Sequence, residues 1–412
     1  MDKTQPQYVK NGAQLVAEES IEKTLDSYTK KRRNDHKAMV KTFKSMSSSS
    51  FITPYNWEKR CEALENCGTF LQFAIDPMTD TKSLYRANFC RERLCPICAR
   101  NRSMYAYHVL SGVTEGLRSK YKGLRLVFIT LTVPNCRGED LYACMKLLSE
   151  SLAKLRRRKQ FQAISKYGGY RKLEVTFNRK NWTFNAHLHL LVYTDDSYFT
   201  GPYYMKTEDL VKLWSNCVES TRRAYENYTK EQEISSQIES WQKELISMEV
   251  KQMDPDAGSG WTYWMTEKLS EQKILLPSNY STLLEKRRDS RMLLNSIRQG
   301  YFKNLDTKSL VCHIEAVKEN KIKNATAELS KYMSKPLTKM AKELEEAEYC
   351  VYWIDQAFHR QRTTAFWGEA WEVQKNLNKK DKEESADGEV ADLIIKTYVW
   401  EDANGYKQIF LK

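Results

Sequence analysis

Apolar and polar positions alternate most sharply over Phe184-Asn185-Ala186-His187-Leu188-His189-Leu190, and the apolar run Leu191-Val192-Tyr193 follows. A period of two is that of a strand with one buried face. Successive side chains point to opposite faces, so Leu188 and Leu190 turn to a core while His187 and His189 share the other side. Leu124 to Val133 is largely apolar, stops at Pro134-Asn135, and predicts a buried central strand. Tyr170 to Asn178 predicts another strand, joined to the histidine strand by a polar turn near Arg179-Lys180-Asn181. That turn centre puts Glu174 opposite His187 or just beside it, on the same face. Helical spacing runs from Ser103 to about Lys120, from Leu141 to Leu155, from Lys206 to Arg223, and from Asn324 to Lys335 before Pro336. Leu310 to Val317 is a further strand candidate, and the stretches 393–400 and 406–411 flank Asn404-Gly405 as a hairpin.

Two imidazoles about 7 Å apart on one strand face can grip one metal ion. The plainer alternative is two hydrogen-bonded histidines in a half-buried strand. The chain has only six histidines, and two of them stand in this pair. Glu174 adds a carboxylate to the two imidazoles. Two nitrogens and one oxygen with open positions suit Mn²⁺ or Mg²⁺ with a bound phosphate, and also admit zinc.

Cys90, Cys95 and Cys98 form C-x4-C-P-x-C, with Cys67-Gly68 upstream. A C-x2-C turn presents two sulfurs to a tetrahedral Zn²⁺, and a distant second pair closes the site. Cys61 is an alternative to Cys67, and a redox pair or buried free thiols are the competing readings. In the helix before Pro336, Glu328 and Tyr332 are four apart and Lys335 lies three further on, so all three share one side. A tyrosine between a carboxylate and an ammonium can attack a phosphodiester, although an ordinary surface helix would carry the same residues.

The 412 residues are enough for two or three cored domains, and they carry a net charge of +13. This basicity favours nucleic acid as a partner before an anionic membrane. The 24 Tyr and 10 Trp suit base stacking on single strands, although aromatics more often serve cores. Arg156-Arg157-Arg158 at a helix end, and Arg360 and Arg362 among aromatics, are the phosphate-contact candidates. The first residues have no apolar leader, and no run reaches the roughly 20 residues of a membrane span. A cytoplasmic protein with its ten cysteines reduced or metal-bound is the expectation, with no membrane partner.

Taken in order, these blocks resemble the rolling-circle replication initiators of small bacterial plasmids, within the HUH endonucleases that use one tyrosine. The resemblance rests on four stretches: 128–135 (FITLTVPN), 172–178 (KLEVTFN) with 185–189 (NAHLH), 328–335 (ELSKYMSK), and 89–98 (FCRERLCPIC). It implies an α+β fold: an HUH-endonuclease domain whose central antiparallel sheet is flanked by helices, with a small zinc-binding module and a largely helical insertion. It implies binding to a plasmid's double-strand origin and a nick in an exposed single strand. Tyr332 would become linked to the 5′ phosphate, and the free 3′ hydroxyl would prime a host polymerase working with a host helicase. His187, His189 and Glu174 would hold the catalytic divalent metal. Glu328 would activate water for release, Lys335 would offset developing charge, and Cys67, Cys90, Cys95 and Cys98 would hold structural zinc. The expected units are a mobile basic arm (1–50), the cysteine-rich module (51–102), the endonuclease domain (103–217 and 306–340), a mostly helical insertion (218–305), and a C-terminal basic and aromatic segment with a hairpin (341–412). Residues 379–389 are expected to be a charged linker. A homo-oligomer is compatible with the sequence. The competing readings are a conjugative relaxase, an HUH transposase, or a non-catalytic zinc-containing DNA-binding regulator. The last of these leaves the histidines, Glu174 and Tyr332 without a task.

Overall fold

The computed structural model describes residues 21–48, 57–77, 80, 82–250, 280–308, 310–330, 337–359, 361–386, 394–402 and 404–410. Two antiparallel sheets organise them. Strands β1 (Phe70–Ile75) and β2 (Lys82–Ala87) open the chain's sheet structure; β3 (Leu124–Thr132), β4 (Gly169–Asn178), β5 (Thr183–Asp195), β6 (Cys312–Val317) and β7 (Thr364–Trp367) follow; β8 (Ile394–Glu401) and β9 (Gly405–Ile409) end it. The larger sheet has the order β6-β3-β5-β4-β7, with the histidine strand β5 in the middle.

Alternation along β5 decides its faces. Phe184, Ala186, Leu188 and Leu190 are fully buried, and they pack with Val127, Ile129, Leu131 and Val175 under the helix Leu141–Leu155. The opposite face has a second core of Leu126, Tyr170, Leu191, Tyr193 and Val317. The helices Pro96–Lys120, Ile322–Ser330 and Glu369–Ala386 cover it. Burial on both faces explains why Leu191-Val192-Tyr193 breaks the alternation. Towards the other end of the strands this second face turns polar, and there the histidines lie.

The smaller sheet, β2-β1-β8-β9, joins two distant parts of the chain. Leu71 pairs with Tyr398 and Phe73 with Lys396. The hairpin at 394–409 completes the sheet of the cysteine module, and β7 pairs with β4 at the edge of the central sheet. Residues 379–386 of the expected linker at 379–389 lie in the helix Glu369–Ala386.

The described part of the N-terminal arm is helical and packs on the core. The helices Ile21–Lys31 and Lys37–Ser48 bury Tyr28, Met39, Phe43 and Met46 to 1% exposure, because each carries an apolar stripe at helical spacing. In the insertion, the helices Tyr228–Val250 and Tyr280–Arg298 run antiparallel, with Arg298 on Glu231 and Arg287 on Gln242. Leu293 and Leu294 join the main core, so its root is not a detached module.

Arg60 ties three regions together. Its guanidinium forms paired hydrogen bonds to Glu92 (2.7 and 2.8 Å) and to Asp355 (2.8 and 3.0 Å). All three side chains are less than a fifth exposed. Arg60→Met would leave two half-buried carboxylates facing each other, and is expected to destabilise the protein by about 3 kcal/mol. Urea unfolding of the variant checks this; a loss under about 1 kcal/mol would mean that solvent screens the cluster.

Candidate metal centre and nucleic-acid interface

The register across β3, β5 and β4 builds the site. Thr132, His187 and Glu174 stand in one row, and Thr130, His189 and Lys172 in the next. Directly paired residues project to the same side of a sheet, so all six side chains share the polar end of that face. The histidine rings lie 4.8 Å apart at 86°. One nitrogen from each ring and a Glu174 oxygen lie within 4.8 Å of one another. This donor set fits one divalent ion with positions to spare.

Neighbouring groups orient the ligands. Thr130 Oγ1 lies 3.0 Å from His189 Nδ1, which leaves Nε2 facing Glu174 Oε2 at 3.6 Å. His187 Nδ1 lies 3.4 Å from the Asn185 carbonyl, so its Nε2 is likewise the outward nitrogen. Burial, and next the neighbouring His187, push His189 down to about 4, which favours the neutral imidazole that a metal ion would need. Glu174 Oε2 also accepts from Lys172 Nζ at 3.2 Å. Sequence reasoning passed over Thr130 and Lys172. The signal for Lys172 was its place two residues before Glu174 on the same strand face.

The helix Ile322–Ser330 runs beside this end of the sheet, and its Glu328 is close enough for its charge to act on His189. Ser103 Oγ donates to the Ser330 carbonyl and pins the helix end to its neighbour. Tyr332 and Lys335 lie outside the described residues.

The cysteine cluster is separate. Cys67 precedes β1, Cys90 follows β2, Cys95 caps the helix Pro96–Lys120, and Cys98 sits in its first turn. Three sulfur pairs, Cys67–Cys98, Cys90–Cys98 and Cys95–Cys67, are 3.6 Å apart. Sulfurs about 2.3 Å from a tetrahedral zinc would be about 3.8 Å apart, so the four thiols fit that ion. Cys61 lies outside the cluster.

The arginine candidates do not gather at the histidines. Arg156, Arg157 and Arg158 follow the helix on the opposite face of the sheet, and Arg156 lies over the Trp367 ring at 4.9 Å. Arg156, Arg157, Lys166 and Trp367 line a cavity of about 470 Å³ there. Arg362 is exposed near Arg171, whose charge it disfavours after burial. Arg360 lies outside the described residues.

A DNA-replication class accounts for this combination of a thiol cluster with a histidine–carboxylate centre on a basic chain, and comparison with known proteins specifies the family. Residues 81–296 match the family described as "Replication protein", and the chain belongs to it. The resemblance to plasmid rolling-circle initiators therefore stands. A "Protein rep" from Staphylococcus aureus is 31% identical over 191 residues, covering 46% of this chain and 78% of that protein. A "Protein rep" from Bacillus sp is 37% identical over 171 residues, covering 41% of this chain and 54% of the relative. One from Streptococcus pneumoniae is 36% identical over 160 residues, covering 38% and 49%. The chain thus spans about half the length of the latter two. No solved structure shows a significant match. Among the described residues no helix is long and apolar enough to cross a membrane.

Proposed function

We propose that this replication initiator nicks one strand of a plasmid origin and keeps the 5′ end. The observation that carries the reading is the convergence of His187, His189 and Glu174 donor atoms within 4.8 Å, beside the helix that bears Glu328. Mn²⁺ or Mg²⁺ bound by these three residues would polarise a phosphodiester. Tyr332, two residues beyond that helix's described end, supplies the nucleophile. Its oxygen forms a bond to phosphorus as the bond to the 3′ oxygen breaks, giving a 5′-phosphotyrosine and a free 3′ hydroxyl that primes synthesis. Lys335 offsets negative charge at the phosphate. Glu328 takes a proton from the water that later hydrolyses the phosphotyrosine. Single-stranded origin DNA is the substrate, and a host helicase and polymerase are the partners this reaction needs. Zn²⁺ in the Cys67, Cys90, Cys95 and Cys98 cluster is structural. Arg156, Arg157, Arg158 and Arg362 contact backbone phosphates, with Arg360 beside them in sequence.

The test is incubation with Mn²⁺ and a supercoiled plasmid carrying the protein's own origin, followed by peptide mapping of the denatured adduct. DNA attached at Tyr332 is expected, with no adduct from Tyr332→Phe. Origin binding without any nick would leave a non-catalytic DNA-binding protein.

A further inference from the structure

A lysine within this site has no part in the chemistry above. Lys172 is 2% exposed, although it lies two residues from Glu174 on a strand that reaches the open end of the sheet. Its ammonium lies 3.2 Å from Glu174 Oε2, the oxygen that also lies 3.6 Å from His189 Nε2. The register sets Lys172 directly opposite His189. Burial keeps Lys172 from touching DNA, so it acts on the reaction through the residues of the site, Glu174 first among them.

Burying a lysine beside metal ligands costs desolvation energy and places a cation where another cation must bind. For orienting Glu174 alone, a neutral donor would serve. We propose that Lys172 offsets the charge of Glu174, so that His187, His189 and Glu174 hold their divalent metal weakly until a phosphodiester anion joins as a further ligand. The Glu174 carboxylate and the Lys172 ammonium, 3.2 Å apart, cancel each other's charge. Adding a divalent ion leaves an excess of positive charge that the anion relieves. Glu328, which also acts on His189, is exposed and therefore more screened than the buried pair. Metal and DNA would thus bind cooperatively, and by linkage each would tighten the other equally. Lys172 is a positioning residue with a second, electrostatic role. The inference rests on the metal site proposed above.

The experiment follows Mn²⁺ binding to the full chain by the electron paramagnetic resonance of the free ion, with and without dimethyl phosphate as a minimal phosphodiester. Wild-type protein is expected to bind Mn²⁺ more tightly with dimethyl phosphate present. Lys172→Met should bind Mn²⁺ alone on the order of tenfold more tightly than wild type and lose most of the response to the diester. Lys172→Arg should behave as wild type. Equal or weaker Mn²⁺ binding by folded Lys172→Met would overturn the proposal and leave Lys172 as a prop for Glu174. If Lys172→Met does not fold, wild-type protein decides, because indifference of its Mn²⁺ affinity to dimethyl phosphate overturns the proposal by itself. Absence of Mn²⁺ binding under every condition would remove the metal site as well, and so is distinguishable from failure of this inference alone.

Discussion

His189→Ala should lower origin nicking by at least ~10³-fold while origin binding stays within a few-fold. His189 stands in the central strand between Thr130 and Lys172, and both ring nitrogens are accounted for: Nδ1 faces Thr130 Oγ1, and Nε2 faces Glu174. Alanine there leaves one imidazole and one carboxylate, too few ligands to keep a divalent ion in place on a phosphate. The rest of the strand should hold, because Leu188 and Leu190 pack on the opposite face. Conversion of supercoiled to open-circular plasmid reads the activity, and gel shift with origin DNA reads the binding. Nicking within about tenfold of wild type would assign the histidine pair a purely structural task.

The second large effect is expected at the thiol cluster. Wild-type protein should contain about one zinc per chain by elemental analysis, and Cys95→Ser should retain almost none. Cys95 is fully buried at the start of the helix Pro96–Lys120, and it joins that helix to the ends of β1 and β2 through neighbouring sulfurs. Losing the ion leaves three thiols, buried Cys67 and Cys98 and half-buried Cys90, without a common partner, at a cost of several kcal/mol. The damage should extend to residues 394–409, whose strand β8 is paired with β1. Hydrogen exchange resolved by peptide would show loss of protection in 70–87 and 394–409 together. Wild-type protein that binds no zinc would refute a zinc site at the four thiols.

Much of the site was legible because its elements are local. The stretches 170–178 and 184–193 are joined by a short polar turn, and a one-residue slip would send Leu188 and Leu190 to solvent. Only one family of registers survives that constraint, and in it Glu174 meets His187, as the structure has it. The helix Leu141–Leu155 and the hairpin about Asn404-Gly405 were likewise readable from spacing and turn chemistry. What escaped was non-local. Nothing in 70–75 announces that its partner is 394–399, because a pairing between segments so distant leaves no local pattern. The N-terminal helices looked like a solvated arm because their apolar residues are sparse, and only the tertiary fold shows that Tyr28, Met39 and Phe43 are buried. The burial of Lys172 was not legible, since burial of a charge depends on packing around the strand and not on its own period.

The small sheet also sets an order of events during synthesis. Gln72 and Thr397 are hydrogen-bonded partners 325 residues apart, so β1 leaves the ribosome long before β8 exists to cover its edge. Until then the cysteine hairpin presents an unpaired strand, a form of structure prone to wrong partners. Early capture of zinc by Cys67, Cys90, Cys95 and Cys98, all on the near side of that gap, would hold the hairpin in shape while it waits. A ribosome that stops before residue 394 would then release a protein with its histidine strand complete and its thiol module still open at one edge.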